Sequence, residues 1–165
     1  MNISQLDLEK IKVQLGRPPR DLVEVAFRGS CGNPAVVKTK PRLADGTPFP
    51  TLFYLTCPQL NSRLGTLEST GFMKELEAQL NSDQKLKDNY QNAHQNYIFE
   101  RENIEQVEEI SEVSAGGMPT RVKCLHSLAA HSLAKGRGEN LIGDAVLEKI
   151  GEWCQNSCIK DEDLI

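Results

Sequence analysis

The sequence predicts an α+β fold, in which a three-stranded antiparallel sheet is packed by about five to six helices. Two observations support this class. Three short segments rich in β-branched and aromatic residues come first, separated by runs of turn-forming residues. From residue 58 onward the apolar residues recur instead at helical spacing. Because strands precede helices along the chain, we expect the helices to cover one face of the sheet.

Length and composition indicate one domain. The chain has 165 residues, 39% of them hydrophobic, which suffices for a continuous core. We expect a single α+β domain over residues 1–165, with a sheet region at 15–57 and a mainly helical part at 58–158. No stretch approaches the ~20 apolar residues of a membrane span, and the amino terminus lacks the apolar centre of a secretory signal. Five irregularly spaced cysteines suit a reducing compartment, so we expect a cytoplasmic protein.

The first third of the chain predicts one helix and the three strands. The helix runs from about Gln5 to Leu15, where the consecutive prolines of "GRPPR" end it. The strands are "LVEVAFR", "AVVKTK" and "TLFYLT", at residues 22–28, 35–40 and 51–56. In an up-down-up meander the first and third strands run the same way and finish at one edge. Cys31 and Cys57 each follow such an end, so we expect them to be neighbours.

The remaining helices follow in order. "CPQLNSRLGTLESTG" and "FMKELEAQLNS" predict two helices, and a polar run from Asp83 to about Val107 predicts a long third one. A Ser/Gly loop at 111–117 precedes the next helix. "NLIGDAVLEKIGEWCQ" predicts the last helix, capped by Asn140. We interpret its Cys154, and Cys158 in the tail beyond it, as structural or incidental.

The segment "SAGGMPTRVKCLHSLAAHSLAKG", residues 114–136, carries the densest group of reactive side chains. If the helix begins early, Cys124 and His131 share one face, but they lie ~10 Å apart along the axis, which is long for joint binding of one ion. If Cys124 instead precedes the first turn, Cys124 and His126 could converge. The sequence leaves open which histidine belongs to a site.

The leading hypothesis is a metal centre held by the thiols of Cys31, Cys57 and Cys124. Three thiolates from separate elements leave one coordination position, for His126, His131 or water. The metal is zinc or an iron–sulfur cluster, and the sequence does not decide between them. In the catalytic form of this hypothesis a histidine, His131 or His126, acts as acid or base.

An anion site is expected beside these thiols. Glycines let backbone N–H groups approach an anion, and the start of a helix adds positive potential. Two residues of the long helix that share one stripe, a histidine and an arginine, could line the same pocket. The candidate substrate-binding residues are Arg121, Lys123, Arg28, Arg42, Gly116, Gly117, His94 and Arg101. A small phosphorylated or otherwise anionic compound would fit them.

Two other classes of function remain open. One is a metal-free thiol enzyme, with Cys124 as nucleophile and His131 as base. The other is an interaction module linked to cell division, in which the metal is structural and the acidic helix at 83–109 binds a protein partner. Nucleic acid is not expected as a partner, because the net charge is -4 and aromatic residues make up 5% of the chain.

Several strings carry a resemblance to a known family. "LGRPPR", "CGNPAVVKTKPRLADGTPFPTLFYLTCPQL", "AHQNY", "SAGGMPTRVKCLHSLAAHSLAKG" and "NLIGD" resemble the largely actinobacterial proteins known as domain of unknown function 501. The resemblance spans about residues 11–144 and implies little chemistry. The family's genes resemble neighbours of a septum-formation initiator homologue and an exopolyphosphatase-like protein, which implies a link to the cell envelope or to phosphate metabolism.

The family motif includes the cysteines and histidines singled out above. It covers the positions that match Cys31, Cys57, Cys124, His126 and His131. Many members carry another cysteine two residues before the first of these, where this chain has Gly29. The resemblance therefore implies no complete four-cysteine set in this chain.

Overall fold

The computed structural model describes residues 3–164, so residues 1, 2 and 165 of the predicted domain lie outside it. Helix α1 (Gln5–Leu15) follows Ser4, whose hydroxyl accepts the backbone N–H of Asp7 at 3.0 Å. It ends at Gly16, whose φ of 73° lies in the left-handed region that glycine adopts readily. The predicted boundaries of this helix are confirmed.

Three strands follow α1 and form one antiparallel sheet in the order β1-β2-β3. They are β1 (Leu22–Arg28), β2 (Pro34–Thr39) and β3 (Phe53–Leu55). The predicted meander is therefore confirmed. Strand β3 is shorter than expected, because the backbone N–H of Leu52 donates to the Tyr97 hydroxyl at 2.7 Å instead of to a strand.

Five further helices complete the fold, which confirms the predicted α+β class. They are α2 (Pro58–Glu68), α3 (Phe72–Ser82), α4 (Gln84–Glu102), α5 (Leu125–Lys135) and α6 (Leu141–Ile150). Short 3-10 turns occupy Glu108–Ile110 and Asp161–Leu164. As predicted, Asn140 caps α6, since its side-chain oxygen accepts the N–H of Gly143 at 3.0 Å. Across residues 3–164, every helix is too short or too polar to cross a bilayer.

Two helices end earlier than the sequence predicted. Helix α4 stops at Glu102, and the buried Arg101 beside that end binds the carbonyl oxygen of Ile110, which folds the following segment back. Helix α6 stops at Ile150, because Gly151 adopts φ 72° and bonds back to Leu147. The prediction that Cys154 lies within the last helix is therefore wrong. That residue belongs to an irregular carboxyl-terminal segment.

The core lies between the sheet and α5, with α4 and α6 packed around them. The His131 ring stacks on Phe53, with 5.9 Å between centroids, and meets Tyr97 edge-on at 5.0 Å. Helices α5 and α6 approach closely at Gly143, where an added Cβ would collide with the carbonyl oxygen of Leu128. This packing fixes the position of the start of α5.

Candidate functional site

The loop before α5 places Cys124 at the helix start. The Gly116 carbonyl accepts the N–H of Lys123 at 2.8 Å and that of Cys124 at 3.4 Å. Gly117 has φ 97°, and a Cβ there would lie 2.6 Å from the Arg121 carbonyl oxygen, so this tight loop requires glycine. Cys124 itself is extended and precedes the first turn. Of the two arrangements that the sequence left open, the structure has the second.

Glu68, the last residue of α2, joins Cys124 and His126. One carboxylate oxygen, Oε2, accepts the N–H of Leu125 at 2.8 Å and lies 3.1 Å from His126 Nδ1. The other ring nitrogen, Nε2, lies 3.2 Å from the carbonyl oxygen of Asn61. The Cys124 sulfur, a His126 nitrogen and a Glu68 oxygen all lie within 4.8 Å of one another. We call these three residues the thiol triad.

The electrostatics of the thiol triad favour a thiolate and an imidazolium. Burial alone would raise the pKa of Cys124, but hydrogen bonds from His126 and Ser127 outweigh it and lower that pKa. The Ser127 hydroxyl lies 3.4 Å from the sulfur. The pKa of His126 is raised to about 9, first by its hydrogen bond with Cys124 and then, against burial, by Glu68. These shifts favour the ionised pair, a Cys124 thiolate beside a His126 imidazolium, over the neutral pair.

A cavity of about 210 Å³ opens beside the thiol triad. Its walls come from the third strand, the first turn of α2 and the start of α5. The lining residues are Thr51, Phe53, Tyr54, Leu55, Asn61, Cys124, His126 and Ser127. The cavity gives a small molecule access to the sulfur between an aromatic wall and a polar one.

His131 lies elsewhere and has a structural role. It is 1% exposed, and its Nδ1 lies 3.2 Å from the side-chain nitrogen of Asn140. Burial lowers its pKa to about 4, so the ring is neutral at physiological pH. Its seven-residue separation from Cys124 corresponds to ~10 Å of helix. Of the two histidines proposed as acid or base, the structure brings His126 to the thiol and keeps His131 in the core.

The two arginines and the two glycines predicted here to bind an anion have partners within the protein. Arg121 Nε lies 2.8 Å from Glu77 Oε1, which also accepts the N–H of Val122 at 2.9 Å. Arg28 makes a bidentate pair with Asp7, at 2.9 and 2.8 Å. The Lys123 side chain is exposed. The carbonyl oxygens of Gly116 and Gly117 accept backbone N–H groups of the loop, and that of Gly117 accepts the N–H of Arg121 at 2.8 Å.

Three other predicted residues stabilise loops. Arg42 binds Glu109, with the closest N–O distance 2.9 Å, and the carbonyl oxygen of Gly46 at 2.8 Å. His94 is buried, and its Nδ1 lies 2.6 Å from the Ser114 hydroxyl. Arg101 is 1% exposed and donates to the carbonyl oxygens of Pro50 and Ile110. None of these three is among the residues that line the cavity beside the thiol triad.

Cys31 and Cys57 lie at another part of the molecule. Cys31 occupies the turn between β1 and β2, and Cys57 directly precedes α2. Glu68 ends the same eleven-residue helix, ~16 Å farther along its axis. Within residues 3–164, Cys31, Cys57 and Cys124 do not form a group whose sulfurs all lie within 4.8 Å of one another. The predicted three-thiol set is divided between these two places.

The thiols that accompany Cys31 come from the carboxyl-terminal segment. The backbone N–H of Cys31 donates to Cys154 Sγ at 3.3 Å. Cys158 Sγ lies 3.7 Å from the side-chain nitrogen of Asn33, two residues after Cys31. The edge of the sheet predicted for Cys31 and Cys57 therefore also carries Cys154 and Cys158, which the sequence indicated to be structural or incidental.

A family described as "Protein of unknown function (DUF501)" matches residues 25–148. The chain belongs to the DUF501 family. The resemblance seen in the sequence is thus confirmed. No curated protein and no solved structure is significantly similar to the chain.

The DUF501 match contains all of the thiol triad but ends before Cys154 and Cys158. Sequence reasoning missed Glu68. It stands in "TLESTG", a string without any local sign of chemistry, and the packing of α2 beside α5 alone brings it to His126. The acidic surface at 83–109 stays a prediction for a protein partner.

Proposed function

We propose that this DUF501 protein is a thiol enzyme in which Cys124 attacks an electrophilic carbon of a small substrate. One observation carries the proposal: the sulfur precedes the first turn of α5, within 4.8 Å of an imidazole that Glu68 holds. A thiolate is the nucleophilic form of cysteine, and a helix start together with a protonated histidine stabilises it. Such a thiolate is maintained in a reducing compartment, which supports the predicted cytoplasmic location.

Acyl transfer is the chemistry that these groups can perform. The Cys124 thiolate would attack a carbonyl carbon, so that a carbon–sulfur bond forms and the bond to the leaving group breaks. The leaving group takes a proton from the His126 imidazolium. Water then attacks the thioester, returns a proton to His126 and restores the thiolate. Glu68 touches the imidazole and the Leu125 N–H, so we assign it a positioning role.

A second candidate uses the same three residues as ligands of one metal ion. Their ligand atoms all lie within 4.8 Å of one another, which supports this alternative. A thiolate, an imidazole and a carboxylate with a water in the fourth position form a zinc site open to substrate. We favour the thiol enzyme because Glu68 Oε2 already accepts the Leu125 N–H and lies beside the Nδ1 of His126.

The test is the reaction of the full-length protein with p-nitrophenyl acetate and, separately, with iodoacetamide. We expect a burst of about one p-nitrophenol per chain and an acetyl group on Cys124, located by peptide mass spectrometry. The Cys124→Ser variant should give no burst. The His126→Ala variant should alkylate at least ~10-fold more slowly at pH 7, because the thiolate loses its cation.

Lys74→Ala is the control, because Lys74 is an exposed lysine on α3 that belongs neither to the thiol triad nor to the candidate substrate-binding residues. It should retain the burst. Alkylation of Cys124 at the rate of an unstructured peptide thiol, with no burst, would refute the proposal. If 1 mM EDTA abolishes the reaction and zinc restores it, the metal-bound alternative replaces the free thiol.

A further inference from the structure

Four of the five cysteines lie on segments that contact one another at one edge of the sheet, away from the thiol triad. Cys31 lies in the β1–β2 turn, Cys57 precedes α2, and Cys154 and Cys158 lie in the segment after α6. All four are free thiols. The fold therefore brings three separate parts of the chain, more than 120 residues apart at the extremes, to one place.

Direct contacts hold the carboxyl-terminal segment against the turn. The Ser30 hydroxyl donates to the carbonyl oxygen of Cys154 at 2.9 Å, next to the contact of the Cys31 N–H with Cys154 Sγ at 3.3 Å. The Asn33 side chain binds the Ser157 hydroxyl at 2.9 Å. On the other side, the Gln59 side chain donates to the carbonyl oxygen of Asn156 at 3.1 Å. These contacts link both ends of "CQNSC" to the turn and to α2.

Gly29 makes room for one of the sulfurs. A Cβ added at Gly29 would lie 2.9 Å from Cys154 Sγ and 3.4 Å from the Trp153 ring. A side chain at position 29 would therefore collide with Cys154. The sulfur of Cys154 occupies the space in front of the turn that a residue at this position would otherwise fill.

The sulfurs lie among N–H groups, as metal-bound thiolates do in proteins. Gln14 Nε2 lies 3.4 Å from Cys158 Sγ, and the backbone N–H groups of Gln59 and Leu60 face the sulfur of Cys57. Cys57 is 3% exposed, and the other three cysteines are partly buried. Hydrogen bonds to sulfur offset the negative charge that several thiolates would bring together.

We propose that Cys31, Cys57, Cys154 and Cys158 are the four ligands of a metal centre that fixes the carboxyl-terminal segment to the sheet. Four cysteines are the ligand set of structural zinc sites and of iron–sulfur clusters. Each thiol releases its proton to solvent as it binds, so metal affinity falls with decreasing pH. The proposal is independent of the thiol enzyme, since it uses none of the thiol triad.

The spacing of the sulfurs bears on which of these metals is bound. Tetrahedral bonds of ~2.3 Å to one zinc ion would place the four sulfurs ~3.8 Å apart. In the described part of the chain, no three of these sulfurs lie within 4.8 Å of one another. A single zinc ion therefore requires the irregular segment at 151–160 to move inward. An iron–sulfur cluster binds sulfurs that lie farther apart and requires a smaller movement.

The test is the metal and acid-labile sulfide content of full-length protein purified without oxygen, with its ultraviolet–visible spectrum. We expect either about one zinc per chain, or iron with sulfide and a broad visible band. The Cys31→Ser and Cys158→Ser variants should each lose most of this metal. Cys124→Ser is the matched control, because that thiol belongs to the triad, and it should retain the full amount.

Counting reactive thiols keeps the test informative if a variant fails to fold. In the native wild-type protein, Ellman's reagent should react rapidly with about one thiol per chain, and with all five after the metal is removed by a chelator. Metal-free wild-type protein should show thiolate-to-cobalt absorption when Co²⁺ alone is added. Protein that is metal-free as purified and also does not bind Co²⁺, or that contains a Cys31–Cys154 disulfide, would refute the proposal. Loss of metal in Cys124→Ser would refute the ligand set.

Discussion

The carboxylate oxygen Oε2 of Glu68 lies 3.1 Å from Nδ1 of His126. This contact joins the last residue of α2 to the first turn of α5, between residues 58 positions apart. Because the same oxygen accepts the N–H of Leu125, the carboxylate also fixes the start of the helix. The ring of His126 is therefore held in one orientation beside the thiol.

The pKa of His126 should depend on both Cys124 and Glu68, and more strongly on Cys124. Its pKa of about 9 rests first on the hydrogen bond with Cys124 and second on Glu68. We expect this pKa to fall in Glu68→Gln and to fall further in Cys124→Ser. NMR titration of the ring protons measures both changes. Glu75→Gln, at an exposed site on α3, is the control and should leave the value unchanged.

His131 should make the protein less stable in acid. Its folded pKa of about 4 lies below the 6.5 of an exposed histidine, so the unfolded chain binds the proton more readily. The contribution of the neutral ring to the free energy of unfolding has its full value above pH 6.5. It falls by roughly 3 kcal/mol as the pH falls from 6.5 through 4.

Urea unfolding at several pH values checks this dependence. His131→Phe retains a ring against Phe53, and the free energy of unfolding should then fall much less between pH 6.5 and 4. His94, whose pKa burial also lowers, should account for a remaining slope. An unchanged slope in His131→Phe would assign the acid sensitivity to other groups.

Two glycines in helices should respond oppositely to alanine. A Cβ at Gly143 would collide with the Leu128 carbonyl oxygen, so Gly143→Ala must push α6 away from α5, at a cost of about 1–3 kcal/mol or more. A Cβ at Gly65 in α2 meets no atom within 4 Å. Gly65→Ala should therefore stabilise the protein by roughly 0.5–1 kcal/mol. Thermal unfolding of the two variants should shift Tm in opposite directions.

The hydroxyl of Tyr97 supports the start of β3. It accepts the N–H of Leu52 at 2.7 Å and that of Phe53 at 3.3 Å, in a fully buried setting. Tyr97→Phe leaves both donors without this acceptor and should cost about 1–3 kcal/mol. Tyr54→Phe, on the partly exposed face of β3, should change stability by less than ~0.5 kcal/mol. Equal effects of the two substitutions in denaturant unfolding would contradict this account.

Local patterns were enough to predict much of the fold. The proline pair after α1, the alternation of strands with turn formers and the cap at Asn140 each act within a few residues. The end of α6 was missed because Gly151 stops it within an apolar string that otherwise continues as a helix. The end of α4 was missed for a different reason. It coincides with a tertiary contact of Arg101 that no spacing reveals.

The candidate sites were predicted only in part. The antiparallel order of the three strands predicted that Cys31 and Cys57 lie at one edge of the sheet, because the turns alone set the direction of each strand. The rule could not supply the partners of these thiols. Cys154 lies beside Cys31 because of the path that the chain takes after α6. Glu68 lies beside His126 because α2 packs against α5. Neither contact depends on local sequence spacing.

Glu68 has a consequence for which molecules can reach the sulfur. It occupies the helix start at which the sequence led us to expect an anion, and together with a thiolate it outweighs the single positive charge of His126. The negative charge around the sulfur therefore disfavours the approach of anionic reagents relative to neutral ones. A neutral alkylating agent such as iodoacetamide should outpace the negatively charged iodoacetate at Cys124 by more than it does at a free peptide thiol, and added salt should narrow that difference.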